Sequence, residues 1–283
     1  MMFRRILIST VMLFVAFSHV KAWGGYEHAI IAYVAQDHLT ENAARHIRYY
    51  LDQPIYEYAD WMDFKPVVRR PGFDIPKNGH STAVDMDGTI PEITPFENGN
   101  GKGSCYRYLK EIVHTLMNHQ TMPDSLVIYH LRCFIHMMGD YHCPVHIHFF
   151  EFPKDGGSLP ASHYKNSKAT TPVNFMGKKK TDLHTVLDGS LKHIHGDWTY
   201  EQWRQELDTF TLEQIEEVVS GDLKSYLVGS CEVSREFYDN AVPGMLIDDT
   251  YFTGRVKDLI YNQIRCSIYR MAKILNDCFD YED

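Results

Sequence analysis

Residues 134–150 constrain the fold and chemistry of this chain more than any other stretch. Five of them are histidine or aspartate: His136, Asp140, His142, His146 and His148. His136 and Asp140 are four residues apart and therefore project from one face of a helix. Pro144 ends that helix, so that His146 follows on a turn that folds back. An imidazole and a carboxylate one turn apart, with another imidazole just beyond, predict a zinc site. The alternative is an amphipathic helix with stray histidines.

Candidate ligands also lie outside this stretch. His184 and Asp188 repeat the spacing of four residues. Asp60 and Asp63 lie in a helical segment at 55–66, and we expect Asp63 to point inward because it follows two apolar residues. His80 lies in a long loop region at 67–104, where a lone histidine is ordinarily solvated. The other candidate ligands favour His80 as a ligand.

The first residues, 1–22, are typical of a signal peptide. Arg4 and Arg5 supply the positive charge, and the apolar run Ile6–Phe17 is too short for a comfortable membrane span. Small residues precede a cut after Ala22. We therefore expect an exported protein, periplasmic or secreted, and the alternative is an uncleaved membrane anchor.

Removal of these residues makes Trp23 the first residue of the mature protein. A free α-amino group is a nitrogen ligand, and its own carbonyl lies within chelating reach. His28 follows at the start of a helix predicted to run from 29 to about 51. The hypothesis is that signal removal completes a metal site, since a peptide amide binds metal poorly. The alternative is that Trp23 is an ordinary core residue.

Composition places the remaining residues, 23–283, in one globular domain. The 283-residue chain is 44% hydrophobic and 23% charged, and its net charge of −9 argues against a protein that coats duplex DNA. Nucleotide substrates remain open, because bound divalent ions can supply positive charge locally. Further helices are predicted at 105–118, 124–139, 199–218, 221–239 and 253–280, with no strand-rich region. The predicted class is all-α, a single multi-helix domain with long loops.

Six scattered cysteines cannot be paired from the sequence, although export makes disulfides possible. Cys143 stands three residues before His146 in the central stretch. It is a possible soft ligand, but an inert or disulfide-bonded thiol is the preferred interpretation.

The ordered set of candidate ligands resembles the zinc-dependent single-strand nucleases of the phospholipase C/nuclease superfamily. The strongest block is His136-Met-Met-Gly-Asp140-Tyr-His142-Cys-Pro-Val-His146, which is similar to the family pattern His-x-x-Gly-Asp-x-His-x-Pro-Leu-His. The Asp155-Gly156-Gly157 turn and Leu183-His184-x-x-x-Asp188 match further blocks. The resemblance covers nearly the whole mature chain.

This resemblance implies a mostly helical fold that holds three zinc ions. The implied ligands of the first ion are Asp63, His80, His136 and Asp140. Those of the second are His146, His184 and Asp188. Those of the third are the Trp23 amine and carbonyl, His28 and the shared carboxylate of Asp140. By the same resemblance, His142 orients a ligand without binding metal itself.

The implied reaction is hydrolysis of single-stranded DNA or RNA by a metal-activated water, which leaves 5′-phosphate products. Asp63 and Asp140 are the implied catalytic residues, and 3′-nucleotides are a further possible substrate. A single strand or mononucleotide enters a small cleft more easily than duplex, because bases must unstack. No stable membrane association and no protein partner are implied.

The chain departs from the family pattern near the expected substrate. Pro66, with Lys65 beside it, stands where Arg is common, and Ser81 replaces an aromatic residue that stacks on the base. Asp182 stands where the family usually has Asn, and Leu187 stands where it usually has Trp. Residues 159–172 look like an insertion relative to the family. These departures keep two alternatives open, a phospholipase C and a metal-binding protein with weak catalysis. Asp188 favours the nucleases over the bacterial lipases, which have Glu at that position.

Overall fold

The computed structural model describes residues 23–64, 79–92, 96–97, 103–177 and 179–282. Within these ranges the chain forms eleven α-helices, which confirms the predicted all-α class. They are α1 Gly25–Ala35, α2 Glu41–Tyr50, α3 Trp61–Phe64, α4 Cys105–Met117, α5 Asp124–His142, α6 Leu183–Asp188, α7 Ser190–His195, α8 Tyr200–Leu207, α9 Leu212–Val219, α10 Leu223–Asp239 and α11 Gly254–Phe279.

Seven short strands lie in the connections between helices in the described part of the chain. They are β1 Thr82–Asp85, β2 Phe96–Glu97, β3 Ile147–Phe150, β4 Leu159–Pro160, β5 Pro172–Phe175, β6 Lys179–Asp182 and β7 Leu246–Ile247. Strands β1 and β3 pair in parallel, with Thr82 opposite Ile147. This register sets the turn that carries His80 beside the turn that carries His146.

Helix α5 is the centre of the fold, and α1, α3, α4, α10 and α11 pack around it. Every residue from Cys133 to His142 is buried, on all sides of the helix. A helix of a soluble protein that is buried all round must be surrounded by other elements. Polar residues on such a helix lose water, so His136 and Asp140 require partners within the protein.

The single helix predicted from 29 to about 51 is wrong, because the chain breaks between α1 and α2. Leu39 is extended, and the Thr40 side chain accepts a hydrogen bond from the amide of Ala43 (3.2 Å), which caps α2. Asn276 of α11 satisfies the freed backbone: it accepts from the Thr40 amide and donates to the carbonyl of His38, both at 2.9 Å. A distant side chain therefore stabilises the break.

The helix predicted at 199–218 is likewise two helices, α8 and α9. Thr211 and Gln214 form a capping box that starts α9. Arg265 of α11 donates to the carbonyls of Glu206 and Leu207 at 3.0 Å, and so satisfies the end of α8. The Thr-x-x-Gln pattern was present in the sequence and marked this second start.

All six cysteines lie among the described residues and are buried. No helix of the described residues combines the length and apolar character that crossing a membrane requires. The predicted signal peptide, 1–22, lies outside the described residues, as do Lys65 and Pro66.

Candidate metal centre

Helix α5 supplies two fully buried polar side chains of the site. His136 and Asp140 are both fully buried, and His136 Nε2 lies 3.1 Å from Asp140 Oδ2. His136 Nδ1 donates to the carbonyl of Ala59 at 2.7 Å. Because that bond takes the Nδ1 proton, Nε2, which faces Asp140, is the ring nitrogen that could bind a cation in place of a proton.

Helix α1 brings His28 against the same carboxylate. His28 Nε2 lies 3.3 Å from Asp140 Oδ1, and its ring stacks on His136 with centroids 4.1 Å apart. Gly139 makes this close approach possible, since a Cβ there would lie 2.4 Å from His28 Nδ1. Glycine on α5 therefore decides whether His28 reaches the site.

The turn before β1 and helix α3 complete this side of the site. His80 Nδ1 lies 2.9 Å from Asp140 Oδ2 and 3.0 Å from His136 Nε2. Asp63 Oδ1 lies 3.9 Å from His136 Nε2, which agrees with the expectation that Asp63 points inward. The donor atoms of Asp63, His80 and His136 all lie within 4.8 Å of one another.

A second group lies on the other side of Asp140. His146 and His184 face each other with their Nε2 atoms 3.0 Å apart. Asp188 meets both rings, with Oδ1 3.5 Å from His146 Nε2 and Oδ2 3.4 Å from His184 Nδ1. His146 Nδ1 is 3.4 Å from Asp140 Oδ1, so the two groups are adjacent.

Trp23 lies beside the second group. Its side chain is 1% exposed, and the amide of Gly24 donates to the carbonyl of Asp188 at 2.8 Å. This hydrogen bond holds the backbone next to Trp23 close to the candidate ligand Asp188. All nine predicted site positions thus converge on one region, although their roles as ligands stay predictions.

Buried polar atoms without partners test whether a metal fits here. Among the described residues, both ring nitrogens of His28, Nε2 of His80, both oxygens of Asp140 and Oδ2 of Asp63 and Asp188 are buried without a hydrogen-bond partner. Leaving such atoms unpaired is costly, and carboxylate and imidazole donors in this number suit a divalent cation. The residues therefore fit a metal centre.

Burial and neighbouring charges act in opposite directions on the pKa values of this cluster. Burial opposes charge on Asp140, but His136, His146 and His80 outweigh it and hold its pKa well below the usual value. Burial raises the pKa of Asp188 to about 8, against an opposing contribution from His184. Burial lowers the pKa of His28 to about 4. Burial also opposes charge on His136, but Asp140 raises its pKa to about 9. A bound cation would replace the protons on His136 and Asp188.

Comparison with known proteins identifies the family. The model of the S1/P1 nuclease family matches residues 23–280. The chain belongs to the S1/P1 nuclease family. It is also similar to Endonuclease 2 of Arabidopsis thaliana, with 24% identity over 295 residues and 96% of each chain covered. The predicted resemblance is confirmed.

Membership of the S1/P1 nuclease family makes this protein a hydrolase of nucleic-acid ester bonds. The His and Asp groups around Asp140 and Asp188 are its candidate metal-binding groups.

His142 and Asp182, which the sequence also singled out, make hydrogen bonds within the protein. His142 Nδ1 donates to the carbonyl of Met138 at 2.8 Å, and its Nε2 faces Arg270 Nη1 at 3.1 Å. These contacts of His142 join α5 to α11, and its expected role of orienting a ligand stays a prediction. Asp182 accepts from the amide of Thr185 at 2.8 Å and caps α6.

Tyr164, in the segment expected to be an insertion, reaches the site. Tyr164 donates to Ser81 Oγ at 3.2 Å, directly after the candidate ligand His80. Leu187 is buried in the main core. The predicted departures at Lys65 and Pro66 lie outside the described residues.

Two buried residues beside the site, Glu27 and Cys143, were not among the site residues predicted from the sequence. Glu27, 1% exposed, precedes His28 and accepts from the amide of Lys192 at 3.2 Å. Its only sequence signal is a carboxylate in an otherwise apolar helix start. Cys143 lies with His146 and Asp188 in one candidate metal group, and its spacing to His146 was the available signal.

Proposed function

We propose that this protein is a zinc-dependent phosphodiesterase that hydrolyses single-stranded DNA or RNA to products with 5′ phosphates. Mononucleotides with a 3′ phosphate are a further substrate class. The observation that carries the proposal is the convergence of buried imidazoles and carboxylates, several of whose nitrogen and oxygen atoms have no hydrogen-bond partner in the described residues. Family membership supports the nucleic-acid substrate.

Three zinc ions are proposed, each with its own set of protein ligands. The first set is Asp63, His80, His136 and Asp140. The second is His146, His184 and Asp188. The third is the amine and carbonyl of Trp23, His28 and Asp140. Zinc bound in these sets would supply a nucleophilic water near neutral pH and would neutralise charge on the phosphate and the leaving oxygen.

Asp140 is proposed to serve two sets at once. Its Oδ1 faces His28 and His146, at 3.3 and 3.4 Å, and its Oδ2 faces His80 and His136, at 2.9 and 3.1 Å. One fully buried carboxylate is thus shared by imidazoles on both sides. This arrangement supports a bridging role for Asp140.

Asp63 is proposed to orient the attacking water and accept its proton. Its side chain is 9% exposed, unlike the fully buried Asp140, and its Oδ2 has no partner among the described residues. A general base must reach both the site and the incoming water, and this partly open position meets that condition.

Preference for single strands follows from the burial of the reacting region. The side chains of Asp63, His80 and His184 are its most open parts, at 9, 11 and 19% exposure. A phosphate must therefore enter deeply, which a splayed strand permits and a stacked, rigid duplex resists. The net charge of −9 also gives duplex DNA no broad basic surface to bind.

Export and processing remain part of the proposal. Cleavage after Ala22 would free the amine of Trp23 for the third ion, in a periplasmic or secreted protein. The burial of Trp23 and the bond from Gly24 to Asp188 support this placement of the mature terminus.

The test is hydrolysis of matched single-stranded DNA, single-stranded RNA, duplex DNA and phosphatidylcholine by the mature protein. We expect cleavage of the single strands, with 5′-phosphate ends, complete loss with a chelator, and recovery when zinc is restored. Preferential hydrolysis of phosphatidylcholine would instead support a phospholipase. Zinc binding without turnover of any substrate would support the metal-binding alternative.

A further inference from the structure

Cys143 is held behind the second group of candidate ligands by its own backbone. Its amide donates to the carbonyl of Asp140 at 3.1 Å, and its carbonyl accepts from the amide of His146 at 3.0 Å. It also ends α5, immediately before Pro144. The Cα of Cys143 is therefore fixed between a ligand of one group and a ligand of the other.

The thiol of Cys143 faces one particular oxygen. Sγ lies 3.5 Å from Asp188 Oδ1, and the Cys143 side chain is fully buried. Asp188 Oδ2 is buried without a hydrogen-bond partner in the described residues and lies 3.4 Å from His184 Nδ1. The two oxygens of Asp188 thus have different surroundings. Oδ1 accepts from the thiol and also lies 3.5 Å from His146 Nε2, whereas Oδ2 faces the ring of His184 and has no hydrogen bond in the described residues.

We infer that Cys143 is a positioning residue, whose S–H donates to Asp188 Oδ1 and keeps Oδ2 directed at the second cation. This inference rests on the proposed function, in which Asp188 binds that cation. A carboxylate in a metal site turns freely about its last bond unless a neighbour holds it, and such neighbours commonly contribute 10–100-fold to metal affinity. A buried thiol is a weak donor, but here no water competes with it.

The experiment compares Cys143→Ala with Cys143→Ser in the zinc-loaded mature protein. The serine hydroxyl keeps a donor of similar size, whereas alanine removes it. We expect Cys143→Ala to weaken the affinity of one zinc ion by about 10–100-fold and leave the others unchanged. Cys143→Ser should stay within about 5-fold of wild type. Cys278→Ala, which removes a buried thiol from α11, is the control and should leave all zinc affinities unchanged.

Cobalt substitution of the wild-type protein provides a second measurement that does not depend on folding of any variant. We expect no thiolate-to-cobalt charge-transfer absorption, because the sulfur keeps its proton. Such an absorption, lost in Cys143→Ser, would overturn the inference by making Cys143 a direct ligand. Unchanged zinc affinity in a folded Cys143→Ala protein would also overturn it. A wild-type protein that binds no divalent metal would instead refute the proposed function.

Discussion

Gly139→Ala should separate the stability of this protein from its activity. An alanine Cβ at position 139 would lie 2.4 Å from Nδ1 and 2.7 Å from Cε1 of His28. Carbon contacts are favourable near 3.5–4.0 Å, so the ring must retreat by roughly 1 Å. Displacements of that size in an active site cost on the order of 100-fold in rate. We expect activity to fall by about that factor, with loss of the ion that His28 is proposed to bind.

The same substitution should cost little stability. Overpacking costs about 1–3 kcal/mol, and the gain in helix propensity from Gly to Ala offsets about 1 kcal/mol of it. The free energy of unfolding should therefore fall by about 0–2 kcal/mol, measured by urea denaturation beside steady-state hydrolysis of single-stranded DNA. Gly229→Ala is the matched control, because a Cβ at position 229 of α10 meets nothing within 4 Å. It should keep full activity and gain up to about 1 kcal/mol. A Gly139→Ala protein with wild-type activity and metal content would refute the assigned role of His28.

Three further predictions follow from the metal centre. His136→Ala should abolish hydrolysis and lower the zinc content measured by atomic absorption; near-normal turnover would rule out its assignment. The pKa of Asp188, raised to about 8 from 3.8, means that the metal-free protein keeps this proton while the unfolded chain loses it. The contribution of Asp188 to the stability of the metal-free protein should therefore fall as pH rises from about 4 to 8. The increase in melting temperature produced by zinc should grow over that range, and a pH-independent increase would contradict this linkage. A protein with residues retained before Trp23 should bind one zinc ion fewer by the same metal analysis, and a fully loaded, active precursor would refute the role of the free amine.

Local patterns allowed much of the site to be predicted from the sequence. The spacing of His136 and Asp140 specifies their shared helix face, because a helix repeats every 3.6 residues. The same reasoning holds for His184 and Asp188 on α6. The structure brings each pair together, with 3.1 Å between His136 and Asp140.

Features that depend on distant contacts could not be predicted in the same way. The break between α1 and α2 depends on Asn276, which lies more than 230 residues away from Thr40 and His38. The pairing of β1 with β3 joins segments separated by α4 and α5. Periodicity is a property of neighbouring residues and carries no information about such partners.

The environment of Cys143 could not be predicted from the sequence either. Its spacing to His146 was visible, but the contact with Asp188 Oδ1 requires α6 to pack against the turn Pro144–His146 that follows α5. Asp63 likewise comes near His136 only because α3 packs on α5. Side-chain direction within the site is therefore a tertiary property.

The most direct test of the metal centre is anomalous diffraction at the zinc edge from crystals of the mature protein. We predict three peaks, each about 2.0–2.2 Å from the imidazole nitrogens and carboxylate oxygens of its proposed set, with Asp140 shared between two of them. Peaks that lie elsewhere, or side chains of His136, Asp140 and Asp188 that remain unliganded in the zinc-loaded active protein, would contradict the account.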